Sequence, residues 1–229
     1  MPTVLALHAA TADVPLLTGS TIARLTEEGR RVVIVTLTGD APTAIAQSLG
    51  AARAESLGYE LALESESKVP VAEATDRIQT LLADEEIDLI LSYDKIGVVH
   101  EPTHVRVHEI GNELASRLGA PTVEAAITRE LVNKGAGVAK TLRKTVPYND
   151  EQLAQFASKS DLAYDIPAKK KFDVKWDAMK AAGGGADRFS QLLARGMQFP
   201  KLVVGSLFQH EYFGAGQGQA PDWFTSLAK

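Results

Sequence analysis

Val4-Leu5-Ala6-Leu7-His8-Ala9-Ala10-Thr11-Ala12-Asp13 opens the chain and decides how the rest is read. Residues 4–9 are a short apolar run, the pattern of a buried strand. Residues 10–13 form a loop, and Thr18-Gly19-Ser20-Thr21-Ile22-Ala23-Arg24-Leu25 begins an amphipathic helix that Gly29 stops. Val32-Val33-Ile34-Val35-Thr36-Leu37-Thr38 then reads as a second strand. Strand, loop, helix and strand make a βαβ unit. Its loop lies at the carboxyl end of a parallel strand, where open α/β sheets bind ligands.

The alternation continues outward from this unit. A helix is expected over 42–57, ended by Gly58, and an alternating segment over 59–63 as a strand. Val71, Ala74, Ile78, Leu81 and Leu82 recur at helical spacing. Residues 87–93 form another buried strand, 103–118 a helix stopped by Gly119, and 123–127 a fifth strand. Repeated βα alternation predicts an α/β fold with a Rossmann-like, mostly parallel sheet flanked by helices. Residues 1–127 would form that core, and 128–229 an irregular C-terminal covering segment of the same single domain. In that segment 172–182 and 189–196 read as helices and 199–209 as strand-like. Residues 214–218, rich in glycine, read as a mobile tail, and Lys169-Lys170-Lys171 as a solvated face.

Composition narrows the function classes. The chain has 229 residues, 45% of them hydrophobic, and a formal net charge of −5, so charge gives no reason to expect nucleic-acid binding. No run approaches the ~18 apolar residues that span a membrane. No basic segment leads into a long apolar core, so no signal peptide is evident and the cytoplasm is the expected location. Absence of cysteine excludes disulfides, thiolate metal sites and cysteine nucleophiles. The first βα turn lacks Gly-x-Gly-x-x-Gly, and neither a phosphate-loop lysine nor a Gly-x-Ser-x-Gly elbow occurs.

Two blocks carry a more specific signal. Residues 4–38 align without a gap, through Ser20-Thr21-Ile22-Ala23 and Val35-Thr36-Leu37-Thr38, with the amino-terminal block of a known family. Asp94-Lys95-Ile96-Gly97-Val98 followed by Glu101-Pro102-Thr103-His104 matches a second block. The chain resembles the PIG-L/LmbE-like de-N-acetylases. There the first strand ends in His-x-Asp-Asp and a His-Pro-Asp-His segment opens a later helix. Weaker similarity runs through Lys175-Trp176-Asp177-Ala178 and Glu211-Tyr212-Phe213.

The resemblance implies a zinc-dependent amide hydrolase acting on an amino sugar or related small molecule. The metal would lower the pKa of a bound water and polarise the amide carbonyl. Carried over residue by residue, Asp13 and His104 fall on ligand positions. The first-loop histidine falls on Ala10, the general base on Ala12, and the histidine that stabilises the intermediate on Glu101. The family's Arg-x-x-Glu segment falls on 46–49, which keeps neither charge. Alanine offers neither a ligand nor a base. The usual activity is therefore expected to be weak or lost, and a non-catalytic relative serving as a binding or assembly module is the alternative.

The histidines suggest a displaced site. His8 shares the strand face of Ala10 and lies about 6.6 Å deeper. His108 shares the helical face of His104, about 6 Å along. His8, His104, His108 and Asp13 could gather around zinc one layer below the usual position, with Glu101 as a base. Alternatively, His8 and His108 form a buried pair, hydrogen-bonded to each other or to backbone, that fills space left by Ala10 and Ala12. His100 and His210 read as rim residues. The expected partner is a small molecule, with no nucleic acid and no membrane span, and a homo-oligomer is compatible with the chain.

Overall fold

The computed structural model describes residues 1–60, 69–141, 143, 148–183 and 188–228. Strands β1 (Thr3–His8), β2 (Arg31–Thr38), β3 (Arg53–Tyr59), β4 (Ile87–Tyr93), β5 (Thr122–Ala126), β6 (Tyr164–Pro167) and β7 (His210–Ala215) form one sheet in the order β3-β2-β1-β4-β5-β7-β6. The first five run parallel, whereas β7 pairs antiparallel with both β5 and β6. This is the mostly parallel α/β sheet that the βαβ alternation predicts. Every residue of β1 is buried, as a central parallel strand covered on both faces requires.

Helices α1 (Gly19–Glu27), α2 (Thr43–Leu49), α3 (Val71–Leu81), the short α4 (Gly97–His100) and α5 (Pro102–Leu118) connect the parallel strands. Next come α6 (Arg129–Thr141), α7 (Asp150–Gln155), α8 (Phe172–Ala182), α9 (Arg188–Gly196) and α10 (Lys201–Leu207). Helices α1, α2 and α8 pack together, and α5 packs against β4 and α3. Val107, Ile110 and Leu114 recur at i, i+3 and i+7 and are fully buried. Gly111 lets α5 approach β4 closely, since a Cβ there would collide with Ser92.

The strand order reverses beside β1, because β1 lies between β2 and β4. The carboxyl ends of β1 and β4 therefore border the crevice where such sheets bind ligands.

Several expectations are corrected. The predicted helix over 42–57 ends at Leu49, where Gly50 takes the left-handed conformation (φ 73°) and caps it. The following strand is Arg53–Tyr59, and the part of 59–63 beyond Glu60 lies outside the described residues. Residues 199–209 hold the helix α10, not a strand. Glycine-rich 214–218 is no mobile tail. Val123 pairs with Ala215, and Thr122 N–H donates to the Gln217 carbonyl at 2.8 Å.

The C-terminal segment is tied to the first βα unit by one buried group. The Glu211 carboxylate accepts from Ser20 N–H (2.8 Å) and Thr21 N–H (2.7 Å) at the amino end of α1. Lys175 Nζ donates to Glu211 Oε1 at 2.7 Å and to the Leu16 carbonyl at 2.9 Å, and sits over the Phe208 ring. A carboxylate at a helix amino end satisfies otherwise unpaired N–H groups and the positive pole of the helix dipole. The neighbouring ammonium balances its charge.

Candidate functional site

The loop after β1 is built by Asp13. Its N–H donates to the Ala10 carbonyl (3.2 Å), and its Oδ2 accepts back from the Ala10 N–H (2.8 Å). This closed turn leads into a π-helical segment, Val14–Thr18, with Pro15 near its start. Asp13 is fully buried there.

Tyr93, the last residue of β4, brings the other groups to Asp13. Its hydroxyl donates to Asp13 Oδ2 at 3.2 Å and lies 2.9 Å from His8 Nδ1. His104, in the first turn of α5, places Nε2 3.3 Å from the same Oδ2 and its ring against Tyr93. Asp13 and His104, expected to face one cleft, are thus in direct contact.

His8 uses both ring nitrogens. Nε2 lies 3.0 Å from Thr18 Oγ1, and Nδ1 meets the Tyr93 hydroxyl. Burial holds its pKa down at about 4, opposed by the Asp13 charge and reinforced by His104, so the ring is neutral near pH 7. With Tyr93 donating to Asp13, proton counting assigns the proton of His8 to Nδ1. A directed chain then runs from His8 Nδ1–H to Tyr93 and from Tyr93 O–H to Asp13, while the one Thr18 hydroxyl proton is shared between His8 Nε2 (3.0 Å) and the Val14 carbonyl (3.2 Å). Burial alone would raise the Asp13 carboxyl. Electrostatic attraction and a hydrogen bond with His104, with smaller contributions from His8 and the Ala10 N–H, outweigh burial and hold Asp13 below the usual carboxylate range.

His108 does not join this chain. Its Nδ1 lies 3.0 Å from the Tyr93 carbonyl and 3.3 Å from Glu124 Oε1, and its Nε2 lies 3.1 Å from the Asn112 amide. His8 and His108 therefore do not bond each other, and of the two it is His108 that reaches backbone, at the Tyr93 carbonyl. Both ring nitrogens of each histidine are engaged elsewhere. The hydrogen bond to Glu124 raises the His108 pKa, against partial desolvation. Glu101 is half-buried at the amino cap of α5, where its carbonyl accepts from Val105 N–H. His100 packs against Tyr148 and Phe156 and reaches the Gln152 carbonyl, while His210 bonds Asp165.

Between Tyr93 and His104 the backbone is strained. Val98 takes φ 60°, ψ −48°, and His100 takes φ 60°, values that bulky residues rarely adopt. Asp94 Oδ1 stabilises the turn by accepting from Val98 N–H at 2.7 Å. Burial, with Glu124 nearby, pushes the Asp94 pKa up to about 6 despite that hydrogen bond. Gly97 is required here by its φ of 63° and because a Cβ would come within 2.7 Å of Val105 N.

The donor set fits zinc poorly. Structural and catalytic zinc sites use three or four protein ligands. Among the described residues no group of three or more His, Cys, Asp or Glu could hold a metal ion. Asp13 and His104 supply two donors, and the positions matched to ligand and base are the buried Ala10 and Ala12. Asp13 Oδ2 already accepts from two donors and meets His104. Its Oδ1 is buried without a hydrogen-bond partner.

Sequence reading missed Tyr93, Thr18 and Asp94. Tyr93 was legible as a strand residue. The pairing of β1 with β4 in the register Ala6 to Leu91 carries it beside His8 two residues later.

No protein-family model matches the sequence. No curated protein matches it either. Solved structures do match in fold. The deacetylase of the antimicrobial A40926 pseudoaglycone is similar with a TM-score of 0.61 at 14% identity, over 93% of this chain and 96% of that one. GalB, the 4-carboxy-2-hydroxymuconate hydratase of Pseudomonas putida, gives 0.59 at 15% identity over 97% and 99%. The N,N'-diacetylchitobiose deacetylase of Pyrococcus horikoshii gives 0.54 at 16% identity over 92% and 82%. Two deacetylases and a hydratase on one scaffold show that the fold alone does not select the chemistry. The chain has the fold of the LmbE/PIG-L-type deacetylases.

Proposed function

We propose that this chain is a divergent relative of the LmbE-type deacetylases in which amide hydrolysis on an amino sugar or related small molecule is lost. On this reading the fold persists as a binding or assembly module. The observation that carries it is Asp13. One oxygen of this fully buried carboxylate is occupied by the Ala10 N–H and the Tyr93 hydroxyl, with His104 at 3.3 Å. That arrangement makes Asp13 the acceptor of a buried network. Beside it, Ala10 and Ala12 supply neither a third ligand nor a base, terms that together carry several powers of ten in rate.

One observation favours the second reading, a weak metal-dependent N-deacetylase. Asp13 Oδ1 is a buried acceptor with no hydrogen-bond partner, a kind of group that often marks an ion or water. Deacetylation of N-acetylglucosamine-type substrates, measured with and without added zinc, separates the two. The proposal expects turnover no greater than that of Asp13→Ala. Zinc-dependent turnover abolished by Asp13→Ala would overturn it.

A further inference from the structure

Phe199, Leu202 and Val203 are 58%, 88% and 50% exposed. They cluster: Phe199 leads into α10, Leu202 and Val203 lie in its first turn, and Val204 points inward. Helix α10 is pinned along the start of α8. Lys201 pairs with Asp173 at 2.6 Å, and Gly205 lies flat against the Phe172 ring, where a Cβ would come within 2.9 Å. Just beyond α10 the Gln209 carbonyl accepts from Ala168 N–H at 2.8 Å. This bond ties the Lys169–Lys171 turn to the far end of α10.

The charges along α8 and the turn before it are uneven. Lys171, Lys180 and Lys201 pair with Glu27, Asp177 and Asp173. Lys169 and Lys170 are exposed, and neither pairs with a carboxylate among the described residues. Protruding apolar side chains at the start of α10 and two cations without a carboxylate partner in the turn by its far end thus lie along one helix, on a chain whose net charge is −5.

We propose that this patch docks on an anionic lipid leaflet, with Phe199, Leu202 and Val203 entering the headgroup boundary and Lys169 and Lys170 meeting lipid phosphates. Apolar residues beside basic ones are the combination that binds membrane interfaces. A side chain as exposed as Leu202 stands almost clear of its neighbours. A rigid partner would need a matching pocket for it, whereas a fluid leaflet does not. A two-fold contact with a second copy through this face would bring the lysines of both copies together, and like charges oppose it. The negative remainder of the chain is repelled by the same leaflet, which orients the protein.

Co-sedimentation of the full chain with phosphatidylcholine vesicles, with and without phosphatidylglycerol, tests this. Binding is expected with the anionic vesicles, weakening as salt rises. Lys169→Ala/Lys170→Ala should lower partitioning roughly thirtyfold, about fivefold per lysine. Leu202→Ser/Val203→Ser should lose binding at low salt as well, with an unchanged circular dichroism melt because both sites are exposed. No binding to anionic vesicles, or full binding by the lysine variant, would overturn the proposal. So would a wild-type dimer in sedimentation velocity that Leu202→Ser/Val203→Ser dissociates, since a second copy would then cover the patch.

Discussion

Glu211→Gln is expected to destabilise the protein more than any surface change, and the cost follows from its partners. Glu211 Oε1 accepts from Ser20 N–H and Lys175, and Oε2 accepts from Thr21 N–H. A glutamine keeps one oxygen and turns an NH2 group toward a donor. The Lys175 ammonium, fully buried, is left with the Leu16 carbonyl and the Phe208 ring. Removing one partner of a buried pair costs about 3–5 kcal/mol. For a chain of this size that lowers Tm by roughly 10 °C. Lys175→Met should cost less, because Glu211 keeps two N–H donors at the positive end of α1. The double variant Lys175→Met/Glu211→Gln removes both charges and should be more stable than Glu211→Gln alone. Urea denaturation of the four proteins checks the order. A Glu211→Gln variant within about 1 kcal/mol of wild type, or a double variant less stable than either single one, would refute the reasoning.

Acid should destabilise the protein through His8. Its pKa is held at about 4 in the fold against an ordinary 6.5, so the unfolded chain binds the extra proton and stability falls as pH drops from 6.5 toward 4. Asp13, also lowered, acts in the same direction at lower pH. His8→Gln should flatten the stability profile across that window, measured by urea midpoints at several pH values. His108 has the opposite sign. Its raised pKa contributes stability below 6.5 that fades as pH rises through the folded value, so His108→Gln should cost more at pH 6 than at pH 9. Tyr93→Phe removes the hydroxyl shared by His8 and Asp13 and should cost about 1–3 kcal/mol in thermal or chemical denaturation. Gly111→Ala forces α5 off β4 at Ser92 and should cost about 1–3 kcal/mol.

The core βαβ unit was legible because β1 and β2 are continuous runs of Val, Leu, Ile and Ala, the signature of strands buried on both faces. Strand β3 was not. Arg53-Ala54-Glu55-Ser56 has helix-forming composition, and pairing with β2 overrides it, although Gly50 marked the true end of α2. Helix α10 was misread because a short apolar run does not distinguish strand from helix by period. At the site, the resemblance of the two sequence blocks placed Asp13 and His104 in one cleft, whereas strand parity and helix spacing were the grounds for bringing His8 and His108 together. Parity and spacing did not show that His108 turns to Glu124 on β5 and to the Tyr93 carbonyl. The clamp at Glu211 joins residues 190 or more positions apart, so no local pattern could disclose it.

The central claim is the proposed one, that the network around Asp13 at the carboxyl ends of β1 and β4 holds no metal. Metal analysis by mass spectrometry tests it most directly, on protein expressed with zinc in the medium and purified without chelator or nickel affinity. The account predicts no stoichiometric zinc, and the same trace content in Asp13→Ala and His104→Ala. Stoichiometric zinc in the wild type that disappears in both variants would contradict it.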